Sequence, residues 1–290
     1  MTTTKRVQAI LSDYDGTLVR LANVKDTTTN AIPGELEAVL NDISAEIPVS
    51  VISTKDFGFL RKKATFARVL SCMMGIETLV LGKRDASSPI IEKRLLHVIP
   101  AVLQSNSKVL EAISSAIASH KDFSSLIVER KHTSDGMLAG LTVDWRHLDK
   151  DWSYYRKSIT HFISSMVANV KEPPAPVVDI YLQKYSMHPF LDVYGAECNK
   201  GMAFDTVISE LGHTTVNRKG TLYLGDSEND NPAFRKAGIS IGIRSDVRVN
   251  PKLDCSYFLD YEQLSSFLMK LRNSDYVFSD GLILEAKRHE

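Results

Sequence analysis

The chain has 290 residues, 43% of them hydrophobic, with Lys+Arg 35 balanced by Asp+Glu 35. A neutral chain of this length buries a full core in one large or two modest domains and lacks the basic stripe that a nucleic-acid binder needs. No apolar run approaches the ~20 residues of a membrane helix, and the apolar stretch after Lys5 and Arg6 is too short for a secretory leader, so a cytoplasmic protein with no membrane or nucleic-acid partner is expected.

Val7–Ser12 (VQAILS) is a short apolar strand running straight into Asp13-Tyr14-Asp15-Gly16-Thr17. Pro33 opens a helix whose apolar residues Leu36, Val39, Leu40 and Ile43 recur at helical spacing. The β-branched PVSVIS segment reads as a strand ending at Ser53. Phe57–Leu70 reads as a basic amphipathic helix, and Thr78–Leu81 as a strand stopped by Gly82. Alternating strands and helices predict a parallel sheet with crossover helices.

From about residue 84 the rhythm changes. Lys108–His120 reads as a helix, Ser125–Lys131 and Met137–Trp145 as strands joined by the HTSDG turn, and Trp152–Val170 as a long helix. After the EPPAP breaker come strands Val177–Leu182 and Phe190–Tyr194. The α/β rhythm then returns with helix Met202–Leu211, strand Thr221–Leu224, helix Pro232–Ala237, strand Ile239–Ile243 and helix Tyr261–Leu271. The chain therefore reads as an α/β core over residues 1–83 and 191–290, interrupted by an α+β domain over 84–190.

Asp13 and Asp15 stand two apart where the first strand ends, so their side chains share a face if the strand runs on. Like charges this close call for a cation or a shared proton, and ligands of open parallel sheets sit at the carboxyl ends of strands. A second acidic cluster, Gly225-Asp226-Ser227-Glu228-Asn229-Asp230, follows another predicted strand. Several carboxylates beside an apolar strand suit a hard cation such as Mg²⁺. Cys72, Cys198 and Cys255 are far apart and show no zinc spacing, so they read as buried apolar residues.

Four segments in order, Asp13–Thr17, Ser53 of VISTKD, Lys200 of NKG and Gly225–Asp230, resemble the four motifs of the haloacid dehalogenase superfamily. The resemblance implies a Rossmann-like core and Mg²⁺-dependent phosphoryl transfer. It implies that Asp13 is the nucleophile that forms an aspartyl phosphate, and that Asp15 is the general acid and base. Mg²⁺ would be held by Asp13, Asp226 and the backbone carbonyl of Asp15. Ser53, Thr54, Lys200 and Asn229 would bind phosphate, and Asp230 would orient metal waters or Lys200. Thr54 and Lys55 stand where sugar phosphatases of the superfamily usually have Gly and Arg.

The insert between Ser53 and Lys200 resembles the superfamily's C2-type cap, which closes over the site and reads the leaving group. Its VERKHTS and GLTVDWR segments and the later FLDVYGAECNKG resemble the pattern of trehalose-6-phosphate phosphatases. Glu129, Lys131 and Asp192 take the places of sugar-binding residues in that pattern, while Asp144, Tyr194 and Gly195 depart from it. Carboxylates accept hydrogen bonds from sugar hydroxyls and lysine donates them. A small-molecule sugar phosphate is thus the expected substrate, trehalose-6-phosphate first. Another glycosyl phosphate, of the sucrose-6-phosphate or mannosyl-3-phosphoglycerate type, and a sugar phosphomutase remain open. Arg20–Asn30 is expected to be a flap, and the apolar residues of Asn273–Glu290 pack either on the core or on a partner.

Overall fold

The computed structural model describes residues 4–20, 31–82, 90–148, 152–169, 180–185, 188–212, 216–244 and 252–286. Its elements run β1 (Lys5–Arg6), β2 (Ala9–Ser12), α1 (Gly34–Ser44), β3 (Val49–Ile52), α2 (Phe57–Lys63), β4 (Val69–Cys72), β5 (Glu77–Leu81) and β6 (Ile91–Leu96). Then follow α3 (Pro100–Ser119), β7 (Ile127–His132), β8 (Leu138–Asp144), α4 (Trp152–Asn169), β9 (Tyr181–Lys184) and β10 (Phe190–Tyr194). The last part holds α5 (Lys200–Leu211), β11 (Thr221–Gly225), α6 (Asn231–Phe234), β12 (Ile239–Arg244), β13 (Tyr257–Asp260), α7 (Leu264–Asn273), β14 (Val277–Phe278) and α8 (Asp280–Ala286). Among the described residues no helix is long and apolar enough to cross a membrane.

The chain divides into two units, Met1–Thr54 with Phe59–Leu95 and Asn199–Glu290, and Lys55–Gly58 with Leu96–Cys198. The first is built on an eight-stranded sheet in the order β13-β12-β11-β2-β3-β4-β5-β6. Strands β13 through β4 pair in parallel. Strands β2, β3 and β11 are buried throughout, as expected of parallel strands covered on both faces. From β2 the chain steps to β3 on one side and later returns to β11 on the other, so β2 and β11 flank the point where strand order reverses. Helix α1 buries Leu36, Val39, Leu40 and Ile43, the four positions its spacing singled out.

Three expectations for this unit are corrected. The helix read over Phe57–Leu70 stops at Lys63, and Val69–Cys72 is a strand. Four residues buried on both faces, three of them apolar, carry no period that separates strand from helix. Next, β5 runs antiparallel to β4, so the sheet is not parallel throughout. A short turn at Met73–Ile76 joins the two strands, too short for a parallel crossover. Finally, the expected boundaries at 84 and 190 move, because β6 joins the large sheet and β10 lies between β8 and β9 in the small one. The C-terminal segment packs on its own unit: Tyr276, Phe278 and Ile283 are buried, β14 pairs with β1, and Phe278 meets the rings of Tyr257 and Phe267.

The second unit carries a four-stranded antiparallel sheet in the order β7-β8-β10-β9. One face presents Leu141, Val143, Leu191 and Val193 to Leu110, Ile113 and Ile117 of α3 and to Tyr155, Ile159 and Ile163 of α4. The other face is polar, because alternate strand residues point to opposite sides. Its cross-strand neighbours are Glu129, Thr142, Asp192 and Gln183 in one row and Lys131, Gly140, Tyr194 and Tyr181 in the next. Helix α3 begins at Pro100, eight residues ahead of the expected start. Strand β9 occupies Tyr181–Lys184, and Val177–Asp179 of the expected strand lie outside the described residues, as do EPPAP and residues 21–30 of the expected flap.

Candidate active site

Parallel pairing puts the ends of β2, β3 and β11 side by side, and each is followed by a polar residue singled out in the sequence. Asp13 follows β2 and continues its ladder, its N–H donating to Leu224 O at 2.9 Å. The chain then turns, with Leu18 N–H reaching Tyr14 O at 2.9 Å and Gly16 N–H reaching Val19 O at 2.7 Å. Gly16 sits at φ 82°, and a Cβ there would overlap the Asp226 carboxylate, so this turn admits only glycine. Tyr14 points the opposite way, buried against the edge of Phe59.

Asp226 follows β11, and Lys200 is the first residue of α5, whose start is capped by Asn199 accepting from Met202 N–H at 3.0 Å. Lys200 Nζ lies 2.9 Å from Asp13 Oδ1 and 2.7 Å from Asp230 Oδ1, and the lysine is fully buried. Carboxylate oxygens of Asp13, Asp226 and Asp230 lie within 4.8 Å of one another.

Asp230 is the hub of this cluster. Its Oδ1 accepts from Lys200 and from Tyr223 OH, each at 2.7 Å. Its Oδ2 accepts from Asp226 N–H at 3.2 Å, Ser227 N–H at 3.1 Å and Ser227 Oγ at 3.2 Å. Both oxygens are thus occupied by protein donors, which makes Asp230 an anchor for Lys200 and for the backbone that carries Asp226. Asp13 and Asp226 are the carboxylates best placed to hold a cation.

The electrostatics point the same way. Burial pushes the Asp13 carboxyl up to about 7; Lys200 pulls it down, and Asp230 and Asp15 push it further up. Burial, Asp13 and Asp230 push Asp226 well above the carboxylate range. Burial would lower Lys200, but Asp13 and Asp230 more than offset it, so the ammonium stays charged. Burial and Asp230 hold the Tyr223 hydroxyl protonated, hence a donor. One ammonium among three buried carboxylates leaves unbalanced negative charge, and the donors are hard oxygens. That set fits a small divalent cation such as Mg²⁺.

Ser53 is buried after β3, with its N–H donating to Ser71 O at 3.0 Å and its carbonyl accepting from Met74 N–H at 2.9 Å. Thr54 follows it as the last residue of that stretch of the core unit. The Asn229 side-chain oxygen accepts from Ser227 Oγ at 2.6 Å.

The core unit therefore gathers Asp13, Lys200, Asp226 and Asp230, with Asp15 close enough to act electrostatically on Asp13. Glu129, Lys131 and Asp192 belong to the other unit. There Lys131 and Asp192 bond to each other at 3.0 Å, both buried. Asp192 also accepts from Thr142 Oγ1, from Tyr185 OH at 2.7 Å and from Tyr194 OH at 3.1 Å. Burial pushes Asp192 up, but Lys131 and the hydroxyl donors outweigh it and hold the carboxyl below its ordinary value. Glu129 is half-exposed, with Oε2 3.6 Å from Lys55 Nζ of the same unit.

Two contributors were not singled out in the sequence. Tyr223 carries a hydroxyl between Leu222 and Leu224 of β11, a visible hint of a buried partner. Thr17, buried in the Asp13–Thr17 segment, places Oγ1 3.5 Å from Asp226 Oδ1.

A family model described as haloacid dehalogenase-like hydrolase matches residues 148–247. Among solved structures, the chain is similar to the trehalose-6-phosphate phosphatase C-terminal domain of C. albicans, with TM-score 0.66, 17% identity and 93% of each chain covered. It is similar to a trehalose-6-phosphate phosphatase of Aspergillus fumigatus, with TM-score 0.54, 19% identity, and 93% of this chain and 94% of that one covered. It is also similar to a haloacid dehalogenase-like hydrolase from Bacteroides thetaiotaomicron, with TM-score 0.59, 12% identity, and 92% and 100% covered. No curated protein is matched by sequence. Of the four motif segments, the family model spans two, Lys200 and Gly225–Asp230, and the solved structures share the fold.

Proposed function

We propose that this chain, which has the fold of the haloacid dehalogenase-like hydrolases and matches their family model, is a Mg²⁺-dependent phosphatase of a sugar phosphate. One observation carries the proposal: a buried ammonium, Lys200, bridges Asp13 and Asp230 beside Asp226, at the strand ends where sheet order reverses. A structural ion pair needs no third buried carboxylate, whereas chemistry on a phosphate dianion needs a nucleophile, a cation and a fixed positive donor together.

Asp13 attacks phosphorus. Its carboxylate oxygen bonds to phosphorus as the ester oxygen leaves, and Asp15 gives that oxygen a proton. Asp15 then takes a proton from a water whose oxygen attacks phosphorus, the Asp13–phosphorus bond breaks, and inorganic phosphate is released. Lys200 has three donors, two of them spent on Asp13 and Asp230, and the third is available to a phosphoryl oxygen. Ser53 supplies a hydroxyl to phosphate, with Thr54 and Asn229 at the rim of the same pocket. Asp13, Asp226 and the Asp15 carbonyl would hold Mg²⁺, which when bound would supply the positive charge that offsets repulsion between an anionic nucleophile and an anionic phosphate.

The leaving group is a sugar, with trehalose-6-phosphate as the first candidate. Glu129 of the polar sheet face supports this assignment, by its match to the pattern of trehalose-6-phosphate phosphatases and by its partial exposure. Lys131 and Asp192 serve it indirectly: mutually bonded and buried, they shape the face on which Glu129 stands.

The test is phosphate release, with Mg²⁺ and with chelator, from trehalose-6-phosphate, sucrose-6-phosphate, mannosyl-3-phosphoglycerate, glucose-6-phosphate and an aryl phosphate. Mg²⁺-dependent release with a preference for trehalose-6-phosphate supports the full proposal. Preference for another member leaves the core chemistry and removes the trehalose assignment. Isomerised sugar phosphate without release would make the protein a mutase.

A further inference from the structure

The turn Met73–Met74–Gly75 between β4 and β5 places three successive residues in the left-handed region, at φ 50°, 53° and 101°. Two are methionines, which adopt that region rarely, and all three are buried. Such a conformation persists only where its surroundings over-determine it. Two sets of contacts do so here. Met74 N–H donates to Ser53 O at 2.9 Å, while Ser53 N–H is held by Ser71 O at 3.0 Å, so β4 and its turn grip both backbone groups of Ser53. Gly75 lies against the first turn of α5, where a Cβ would stand 3.0 Å from Ala203 Cβ and 3.1 Å from Ala203 Cα. Lys200 begins that same helical turn. On another side of it, a Cβ at Gly201 would stand 2.8 Å from Pro232 Cβ, so the start of α5 is wedged between the turn and α6.

We propose that the Met73–Gly75 turn is a positioning element of the phosphate pocket, setting Ser53 through its carbonyl and Lys200 through the first turn of α5. It rests on the phosphatase reading, in which both residues contact the phosphate. One rigid turn touching both elements fixes their separation, which a relaxed connection would leave to drift. A misplacement of about 1 Å costs up to about 100-fold in rate, so the strain is repaid in geometry.

The test is the substitution Gly75→Ala, read by kcat, the inhibition constant of inorganic phosphate, the unfolding midpoint and half-saturation by Mg²⁺. The Cβ presses on Ala203, so kcat falls and the phosphate constant rises, each by about tenfold, while Mg²⁺ half-saturation stays within about twofold. Adding Ala203→Gly recovers a substantial part of the loss. Gly136→Ala imposes the same kind of strain at φ 89° where nothing lies within 4 Å, and it lowers the midpoint without moving the phosphate constant. Should Gly75→Ala not fold, Ala203→Ser presses on Gly75 from the helix side and carries the same expectation. A phosphate constant within twofold of wild type in the folded variant overturns the proposal, as does a loss that Ala203→Gly leaves untouched. Wild-type protein that binds inorganic phosphate by calorimetry but hydrolyses no ester removes the phosphatase reading, and the same binding constants then decide the positioning role. Wild-type protein that binds no phosphate overturns both.

Discussion

Lys200 Nζ lies 2.7 Å from Asp230 Oδ1 with neither side chain exposed to solvent. Because Asp230 Oδ2 also takes the N–H groups of Asp226 and Ser227, this one carboxylate joins the start of α5 to the end of β11. The arrangement holds a charged donor beside Asp13 without asking Asp230 to bind the metal.

Removing the ammonium leaves three buried carboxylates facing one another. Lys200→Met is therefore expected to cost about 3–5 kcal/mol of stability in metal-free protein, the range for breaking a buried pair. Mg²⁺ should raise the unfolding midpoint of this variant more than that of wild type, because it neutralises Asp13 and Asp226. Thermal unfolding with Mg²⁺ and with chelator checks this, and equal Mg²⁺ shifts in the two proteins would count against it.

The metal-free protein is expected to lose stability as pH rises. Asp13, at about 7 in the fold against an ordinary 3.8, holds its proton more tightly when folded than when unfolded. Its stabilising contribution is fully present below the unfolded value and is lost as pH rises through about 7. Asp226 is shifted in the same direction. The metal-free midpoint should thus fall between pH 5 and pH 8, the fall should be shallower in Asp13→Asn, and Mg²⁺ should raise the midpoint more at pH 8 than at pH 5.5. A flat profile, or a larger Mg²⁺ shift at acid pH, would contradict the assignment.

Much of this site is legible in the sequence because each motif is contiguous. Asp13, Asp15, Asp226 and Ser53 follow short apolar runs that fold as buried strands, so residue type and strand end are read together. The partners are another matter. Asp230 bonds Lys200 across 30 positions, which only the family resemblance suggests, and Lys131 bonds Asp192 across 61, separations that no local spacing encodes. Strand β4 escaped because VLSC is buried on both faces and follows a basic helix without a breaker. Strand β6, IEKRLL, is exposed over most of its length and has no apolar face to announce it.

Asp192→Asn is expected to destabilise by about 3–5 kcal/mol, because it leaves Lys131 charged and buried. Combining Asp192→Asn with Lys131→Met should restore part of that loss, because no buried charge is left unpaired and Asn keeps an acceptor for the Thr142, Tyr185 and Tyr194 hydroxyls. Denaturant unfolding of the single and double variants measures the coupling. Additive losses would show that the two side chains do not depend on each other.

Glu129→Gln separates substrate contact from structure. The ion pair with Lys55 is half-exposed at 3.6 Å, so its loss should change stability by less than about 1 kcal/mol. If Glu129 accepts a sugar hydroxyl, KM for the preferred sugar phosphate should rise about tenfold while an aryl phosphate is turned over as before. Equal effects on both substrates would remove Glu129 from the leaving-group site.

The most direct measurement is Mg²⁺-dependent phosphate release by Asp13→Asn, made beside its unfolding midpoint. With the nucleophile gone and the fold intact, turnover should fall on the order of 10³-fold or more at an undiminished midpoint. A folded Asp13→Asn protein that releases phosphate within tenfold of the wild-type rate would contradict the assignment of Asp13 as the nucleophile.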